Sequence, residues 1–299
     1  MKGPEFFIVG APKCGTTAMS DYLGQHPEIG MSALKESQYF AIDMWQRFAV
    51  KKGQTWHTPE EYLGLFAGVQ DRKRLGEASV WYLYSAAAPV EIERFCSHSR
   101  IIAMLRNPVD MIPSLHSEFV YNGIEPEEDL ERALALDAER ERNGAPPGFP
   151  PRSYRSTVSY GKQLRRYFDV FGRERVHVIL FDDFTHRTAD IYRETCEFLD
   201  VDPGFVPEIR VVNPHKQVRS RALRGFLFHP PETFRRAVHA VTSRAGRSRV
   251  GYAMKRWNTR FVSRPPASER VHTALRPLAV RQAHELGELL DRDLRAWGA

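Results

Sequence analysis

The sequence has few cysteines and no long apolar run. Its three cysteines, Cys14, Cys96 and Cys196, lie far apart, and an odd number cannot complete a set of disulfides. A disulfide-stapled secreted domain therefore does not fit, and we expect a reducing compartment. The first apolar run, FFIVGA from Phe6, is too short for a signal-peptide core or a membrane span. These absences predict a soluble protein of the cytoplasm without a membrane span.

The chain does contain enough apolar material for a large core. With 299 residues, 42% hydrophobic and 27% charged, it does not fit disordered or collagen-like classes. It also has no internal repeat at a solenoid period and no low-complexity tract. We expect a single domain over residues 1–299, which includes a basic and helical region at about 208–299.

Three apolar segments alternate with helical patterns. The predicted strands are Glu5–Val9, Arg100–Leu105 and Val176–Phe181. The predicted helices run from Gly15 to a stop at Pro27, from Asn107 and Pro108 to about Tyr121, and from about Thr188 to Leu199. Buried strands that alternate with helices are typical of a parallel sheet covered on both faces. The predicted fold class is therefore α/β: a three-layer α/β/α sandwich of the P-loop type with a helical C-terminal portion.

Other segments are less regular. Residues 127–142 have a helical composition, whereas Asn143–Pro151 is rich in Pro and Gly and is predicted to be a loop. From Arg219 to the end the signals are helical. Leucines near helical spacing in Ala274–Trp297 predict a C-terminal helix that packs on the core.

The segment between the first strand and the first helix has the pattern of a phosphate-binding loop. Its sequence, Gly10–Thr17, places two glycines five residues apart, so that backbone N–H groups and a helix start can surround an oxyanion. A nucleoside triphosphatase has a lysine directly after the second glycine, but Thr16 stands there and the only lysine is Lys13. The loop thus favours a shorter phosphate group with the cation at its leaving oxygen; the alternative is a plain turn with a solvated lysine.

Positive charge is concentrated in one region. Residues 208–264 contain fourteen Lys or Arg and two acidic residues, a net charge of +12, so the rest of the chain carries −6 of the total of +6. This region is expected to meet an anion; a solvated basic face or a nucleic-acid surface are the alternatives. No zinc finger, RNP-like pattern or basic-zipper heptad accompanies the charge, so nucleic acid is the less favoured partner.

Several separated motifs together resemble the sulfotransferases that use 3′-phosphoadenosine 5′-phosphosulfate (PAPS). FFIVGAPKCGTT is similar to their 5′-phosphosulfate loop, and IIAMLRNPVDMIPS is similar to their 3′-phosphate segment. KESQYF resembles the Glu-x-x-aromatic-Phe signature of the heparan-sulfate branch and its bacterial relatives. GEASV, at Gly76–Val80, departs from the Gly-Glu-Lys-Ser-Pro and Gly-Glu-Ala-Ser-Pro of many relatives, so sugar-binding residues are not carried over.

The resemblance implies a role for each matching residue. The predicted donor-binding residues are Lys13, Cys14, Gly15, Thr16 and Thr17 in the loop, Arg106 and Ser114 at the 3′-phosphate, and Lys216 and Arg219 in a basic lid. Glu36 is the predicted catalytic base, and Lys13 the catalytic cation at the bridging oxygen. PAPS, with adenosine 3′,5′-bisphosphate (PAP) as its product, is the implied cofactor, and no metal is implied.

The residues support part of this assignment by themselves. Arg106 follows a buried strand, where ligands collect in open parallel sheets, and its planar fork suits a phosphate. Ser114 lies two helical turns further and can point at the same anion. The alternatives are an ion pair of Arg106 with Asp110, and for Glu36 a pairing with Lys35 or a helix cap.

Other bases and other classes of protein stay open. His26, His57 and His116 are available as bases of the kind used by sulfotransferases of phenols and steroids, and His116 follows Ser114 by only two residues. A P-loop kinase or nucleotide hydrolase, and a non-catalytic nucleotide or nucleic-acid binder, are the alternative functions. The expected acceptor is a hydroxyl or amine of a small metabolite, lipid-linked sugar, glycoside or carrier-bound intermediate. The sequence indicates neither the acceptor nor the oligomeric state.

Overall fold

Five parallel strands form the central sheet. The computed structural model describes residues 1–44, 58–143, 151–210, 216–218, 259–261 and 268–298. The strands are β1 (Phe6–Gly10), β2 (Ile29–Met31), β3 (Arg74–Ala78), β4 (Arg100–Leu105) and β5 (Val176–Leu180), in the spatial order β2-β3-β1-β4-β5. Each neighbouring pair is parallel, which confirms the predicted α/β sheet.

Helices connect the strands and flank the sheet. They are α1 (Thr16–Gln25), α2 (Pro59–Gly64), α3 (Ala88–Phe95), α4 (Pro108–Tyr121), α5 (Leu130–Asn143), α6 (Tyr154–Thr157), α7 (Tyr160–Phe171), α8 (Phe181–His186), α9 (Thr188–Phe198) and α10 (Glu269–Leu290). Short 3₁₀ turns lie at Ala67–Val69 and Arg295–Gly298. Every residue of β1 is buried, as expected for a strand in the middle of a sheet with both faces covered.

Local sequence signals account for most helix boundaries. Asn107 accepts a hydrogen bond from the Val109 N–H at 3.1 Å and Pro108 takes the first helical position, so α4 begins where the sequence predicted. α9 covers Thr188–Phe198, within one residue of the predicted helix. Two strands, β2 and β3, were not predicted: β2 has three residues, and β3 contains Gly76 and Glu77 and so lacks a continuous apolar run.

The C-terminal helix packs on the core as predicted, although it begins earlier. α10 begins after Ser268, whose hydroxyl accepts from the Val271 N–H at 3.2 Å, and it contacts α4 and α7. After this helix, the ring of Trp297 lies 6.5 Å from the ring of Tyr160. The backbone carbonyl of Trp297 accepts a hydrogen bond from Asn107 Nδ2 at 3.3 Å. The chain end is thereby fixed beside the first residues of α4.

The helical signals after Arg219 are wrong at one place. Strand β7 (Thr259–Phe261) pairs in antiparallel fashion with β6 (Lys216–Val218), because three residues with a β-branched and an aromatic side chain suit an extended ladder. The remainder of 219–267, most of the predicted loop at 143–151, and His57 lie outside the described residues. Across the described ranges, no helix is both long and apolar enough to cross a bilayer.

We expect Gly76→Ala to destabilise the sheet. Gly76 in β3 is in register with Phe6 in β1, and a Cβ at position 76 would overlap the Phe6 ring. Overpacking of this kind lowers the free energy of unfolding by about 1–3 kcal/mol, measurable by urea denaturation. Gly64→Ala at the end of α2 is the matched control, because a Cβ there meets nothing within 4 Å. Equal stability of the two variants would contradict the close packing of β1 on β3.

Candidate active site

The loop between β1 and α1 presents a row of backbone N–H groups without partners. Gly15 precedes α1 with a φ of 86°, and no side chain caps the helix. Among the described residues, nothing accepts a hydrogen bond from the N–H groups of residues 13–17. A helix start in this state attracts an anion. Position 15 also requires glycine, since a Cβ there would lie 3.2–3.3 Å from the rings of Phe181 and Phe184 and its φ is in the left-handed region.

Cys14 contributes its backbone to the loop, while its thiol faces the core. The side chain is wholly buried, and its Sγ lies 3.4 Å from the Pro12 carbonyl oxygen. Burial raises the pKa of Cys14 to about 12, so the thiol is neutral at pH 7. Thr16 is buried as well and Thr17 half-buried. The predicted contribution of residues 14–17 to anion binding thus falls on N–H groups and not on a thiolate.

Lys13 forms an ion pair that the sequence did not predict. Its Nζ lies 2.5 Å from Glu118 Oε2, on α4, and both side chains are partly exposed, at 26% and 44%. Glu118 follows Ser114 by one helical turn and therefore lies on the same side of α4. This spacing is the signal that could have identified Glu118. The ion pair brings the loop directly against α4.

Arg106 stands at the junction of the loop, β4 and α8. Its Nη1 lies 3.5 Å from the Lys13 carbonyl oxygen, and its guanidinium carbon lies 4.4 Å from the centre of the Phe181 ring. Its Nε is buried without a hydrogen-bond partner in the described part of the chain. The alternative pairing with Asp110 is not formed among those residues. A buried guanidinium nitrogen without an acceptor is suited to receive an anion.

Ser114 lies near these groups on α4. It is 4% exposed, and no described residue forms a hydrogen bond with its hydroxyl. Since Glu118, one turn further on, touches Lys13, Ser114 lies on the side of α4 that faces the loop. The structure therefore brings together Lys13, Arg106 and Ser114 at the carboxyl ends of β1 and β4.

Glu36 lies at the end of the neighbouring strand β3. Its N–H donates to the Ala78 carbonyl at 2.9 Å, and its carboxylate accepts from the Val80 N–H at 3.0 Å. The predicted alternative contact with Lys35 is present at 2.8 Å, beside a bond from Gln38 Nε2 at 2.6 Å. Val80 also abuts the loop, because its carbonyl oxygen lies 2.7 Å from where a Cβ on Gly10 would be. Val80 thus lies between the Glu36 carboxylate and the glycine loop.

Two of the three candidate histidines, His116 and His26, are engaged by backbone groups. Nε2 of His116 lies 2.9 Å from the Glu127 carbonyl oxygen and its ring lies 6.0 Å from that of Tyr154; burial lowers the pKa of His116. His26 uses both ring nitrogens, one at 2.9 Å from the Asp202 carbonyl oxygen and the other at 3.0 Å from the Glu28 N–H. Both imidazoles are held by backbone groups of other residues, so they are less suited than Glu36 to take a substrate proton.

A second carboxylate, Glu77, was missed by the sequence analysis. It is wholly buried in β3 and accepts hydrogen bonds from four hydroxyl groups, those of Ser37, Tyr62, Ser79 and Tyr82. Burial raises the pKa of Glu77, and the hydroxyl donors act against that rise. A glutamate within an otherwise buried strand is the sequence signal that could have drawn attention to it.

Only one of the two predicted lid residues lies in the part of the chain that the structure describes. Lys216 opens β6, where its backbone is paired with Phe261, and Arg219 lies outside the described residues. Within the described ranges, no group of three or more His, Cys, Asp and Glu side chains is arranged to hold a metal ion.

Comparison with known proteins gives a consistent family. The model of the sulfotransferase domain matches residues 3–226. Human carbohydrate sulfotransferase 15 is 29% identical over 40% of this chain and 27% of its own length. The mouse bifunctional heparan sulfate N-deacetylase/N-sulfotransferase 4 is 23% identical over 74% of this chain and 25% of its own length. The chain thus spans about a quarter of the length of these relatives.

A solved structure extends the likeness to the whole fold. The crystal structure of a sulfotransferase from Alicyclobacillus acidocaldarius is 29% identical and superposes with a TM-score of 0.74, with all of both chains covered. The predicted resemblance is thereby confirmed. The family model covers most of the chain and the solved structure shares its fold, so the chain belongs to the sulfotransferase domain family.

Proposed function

We propose that the protein transfers a sulfuryl group from PAPS to a hydroxyl or amine of a carbohydrate or other small acceptor, with Glu36 as base. The observation that carries the proposal is the set of groups found together at one edge of the sheet. At the carboxyl ends of β1, β3 and β4 lie a lysine, a carboxylate, and N–H groups and a buried arginine nitrogen that have no hydrogen-bond partner among the described residues. This set matches a polyanionic donor on one side and an acceptor proton on the other.

The residues fit a donor with two separate phosphate groups. The N–H groups of residues 13–17 and Lys13 would hold the phosphosulfate end. Arg106 and Ser114 would hold the 3′-phosphate, since neither Arg106 Nε nor the Ser114 hydroxyl has a hydrogen-bond partner in the described ranges. Lys216 and Arg219, in the basic region, would cover the nucleotide as a lid, and that assignment rests on the sequence alone.

Two side chains would act on the reacting atoms. PAPS supplies an activated sulfuryl group, and negative charge gathers on its bridging oxygen as that group leaves. The Lys13 ammonium would neutralise this oxygen after moving from Glu118. The Glu36 carboxylate, oriented by the Val80 N–H, would take the proton of the attacking hydroxyl or amine. Positioning and electrostatics supply most of the acceleration in such a transfer.

The acceptor is drawn from the relatives. Two curated relatives are named for carbohydrate and heparan sulfate substrates, and a sugar offers hydroxyl and amine acceptors. We therefore propose glycosides and amino sugars as the acceptors to be tried before other classes. A suitable panel contains glucosamine, N-acetylglucosamine, their nitrophenyl glycosides and desulfated heparin, each incubated with PAPS and analysed by mass spectrometry for added sulfuryl groups.

The first prediction concerns the choice of nucleotide. Without a lysine after Gly15, but with Arg106 and Ser114 available for a second phosphate, the protein should bind PAP more tightly than ATP. Calorimetry should also show that Arg106→Ala weakens PAP binding by about 1.5–3 kcal/mol, the contribution of a charge-assisted hydrogen bond. Arg94→Ala removes the same charge from an exposed pair with Glu91 and is the control. Preferred binding of ATP would contradict the donor assignment.

The second prediction concerns the ion pair of Lys13. Because Glu118 competes with the donor for the ammonium, Glu118→Gln should raise the affinity for PAP. Both side chains are partly exposed, so the gain should be small, about twofold to fivefold for a pair worth roughly 0.5–1 kcal/mol. Glu91→Gln changes the net charge equally and should leave PAP binding unaltered. A loss of affinity in Glu118→Gln would show that the two groups do not compete.

The third prediction concerns the base. Glu36→Gln keeps the size of the side chain but cannot accept the acceptor proton, so turnover should fall roughly 10²–10⁴-fold while PAP affinity is almost unchanged. Turnover is followed by mass spectrometry on the glycoside and heparin panel, and PAP affinity by calorimetry. His116→Ala, corrected for the folded fraction, should be much milder. An active Glu36→Gln beside an inactive His116→Ala would overturn the assignment in favour of a histidine base.

A further inference from the structure

One buried carboxylate lies one residue before Ala78, the end of β3, whose carbonyl oxygen accepts from the Glu36 N–H. Glu77 is wholly buried in β3 and is in register with Phe7 of β1. No described lysine or arginine forms an ion pair with it. A carboxylate in such a place is costly unless several donors satisfy its oxygens. The burial of the Glu77 carboxylate must therefore be compensated by the groups that surround it.

Hydroxyl groups surround this carboxylate on both oxygens. One oxygen accepts from Ser37 and Ser79, each at 2.6 Å, and from Tyr82 at 3.0 Å. The other accepts from Tyr62 at 2.6 Å and from Tyr82 at 3.1 Å. We call these four residues and Glu77 the hydroxyl cage. Its members come from β3, α2 and the two segments that follow β2 and β3.

The cage fixes the direction of a second set of hydrogen bonds. Because each hydroxyl gives its proton to Glu77, its oxygen is left to accept. Ser79 Oγ accepts from the Gln38 N–H at 3.1 Å, and Ser37 Oγ accepts from the Tyr39 N–H at 3.3 Å. The hydroxyl of Tyr82 accepts from the Phe40 N–H at 3.3 Å. Three successive N–H groups of an irregular segment are therefore held through one carboxylate.

That segment directly follows Glu36 and controls its surroundings. Glu36 and Gln38 both have left-handed backbone conformations, with φ of 64° and 55°, which a free chain rarely adopts. The Gln38 side chain donates to Glu36 Oε2 at 2.6 Å, and Val80, next to the cage residue Ser79, donates to the same oxygen at 3.0 Å. Both donors to that oxygen are thus attached to chain that the cage holds in place.

We propose that Glu77 is a positioning residue for the reaction: through the hydroxyl cage it holds residues 38–40 so that the Glu36 carboxylate faces the acceptor. The inference rests on the proposed role of Glu36 as base. Glu77 itself touches neither donor nor acceptor. The alternative is that the cage contributes to folding alone.

A double-mutant cycle separates these two roles. Glu77→Gln keeps the shape of the side chain but replaces two accepting oxygens by one, and turnover on the glycoside and heparin panel with PAPS should fall roughly 10²-fold for a displacement of about 1 Å. PAP affinity by calorimetry should stay within about twofold, because the phosphate loop is not part of the cage. In a Glu36→Gln background, adding Glu77→Gln should cause almost no further loss, since the residue through which Glu77 acts is already gone.

A milder pair of variants keeps the test independent of the folding of Glu77→Gln. Ser79→Ala removes the hydroxyl between Glu77 and the Gln38 N–H, whereas Ser99→Ala removes a buried hydroxyl without a described partner, before β4. Ser79→Ala should lower turnover at unchanged PAP affinity and speed amide hydrogen exchange in residues 38–40. Ser99→Ala should do neither.

The outcomes distinguish this inference from the proposed function. An active Glu36→Gln enzyme would refute the base and the positioning role together. An inactive Glu36→Gln enzyme beside Ser79→Ala that behaves as Ser99→Ala would refute the positioning role alone. The positioning role would also be overturned if Glu77→Gln lowered turnover by the same factor in the wild-type and Glu36→Gln backgrounds, since a general structural defect acts in both. A fall in turnover accompanied by a loss of PAP affinity would overturn it as well.

Discussion

The site depends on a helix that starts without a side-chain cap. Since α1 begins after Gly15 and no described hydroxyl or carboxylate accepts from its first N–H groups, the described part of the chain leaves the positive end of the helix open at the carboxyl edge of the sheet. Gly15 makes this possible, because a side chain there would press on Phe181 and Phe184. Phe181 also stacks on Arg106, so the same contact that shapes the loop places the guanidinium beside it.

A bound anion would change the pairing of the charged side chains at this edge of the sheet. Lys13 has an acidic partner on α4, while Arg106 has a buried nitrogen without one among the described residues. An anion could therefore bind Arg106 directly, whereas Lys13 would first have to leave Glu118. On the other side of Val80, the Glu36 carboxylate already has two donors from irregular chain and one from Lys35. Val80 lies between the Glu36 carboxylate and the glycine loop, so the proposed proton acceptor and the proposed anion site lie at the same edge of the sheet.

The parts that the sequence predicted are those with strong local signals. β1, β4 and β5 are short apolar runs, and Asn107 with Pro108 announces a helix start. Strands β2 and β3 escaped prediction because their glycines and Glu77 break the apolar pattern. Lys13 lies in the glycine loop after β1 and Arg106 follows β4, so their position at one edge of the sheet follows from the topology. Glu36 was predicted from the family resemblance, because the strands beside it, β2 and β3, were not predicted.

Contacts between distant segments could not be predicted in this way. The hydroxyl cage joins residues 37, 62, 77, 79 and 82, and no periodicity in the sequence relates a serine after β2 to a tyrosine in α2. The pairing of Lys13 with Glu118 spans 105 residues and depends on how α4 packs on the loop. His116 shows the reverse case, since its position near Ser114 in sequence does not place it in the site; the helix turns it toward Glu127.

The central claim is that this edge of the sheet transfers a sulfuryl group from PAPS, and mass spectrometry of the acceptor tests it most directly. Wild-type protein with PAPS and the glycoside and heparin panel, in the presence of EDTA, should add one sulfuryl group to an acceptor and release PAP in equal amount. Binding of PAP without any modified acceptor, or phosphate added from ATP in place of sulfate from PAPS, would contradict the account.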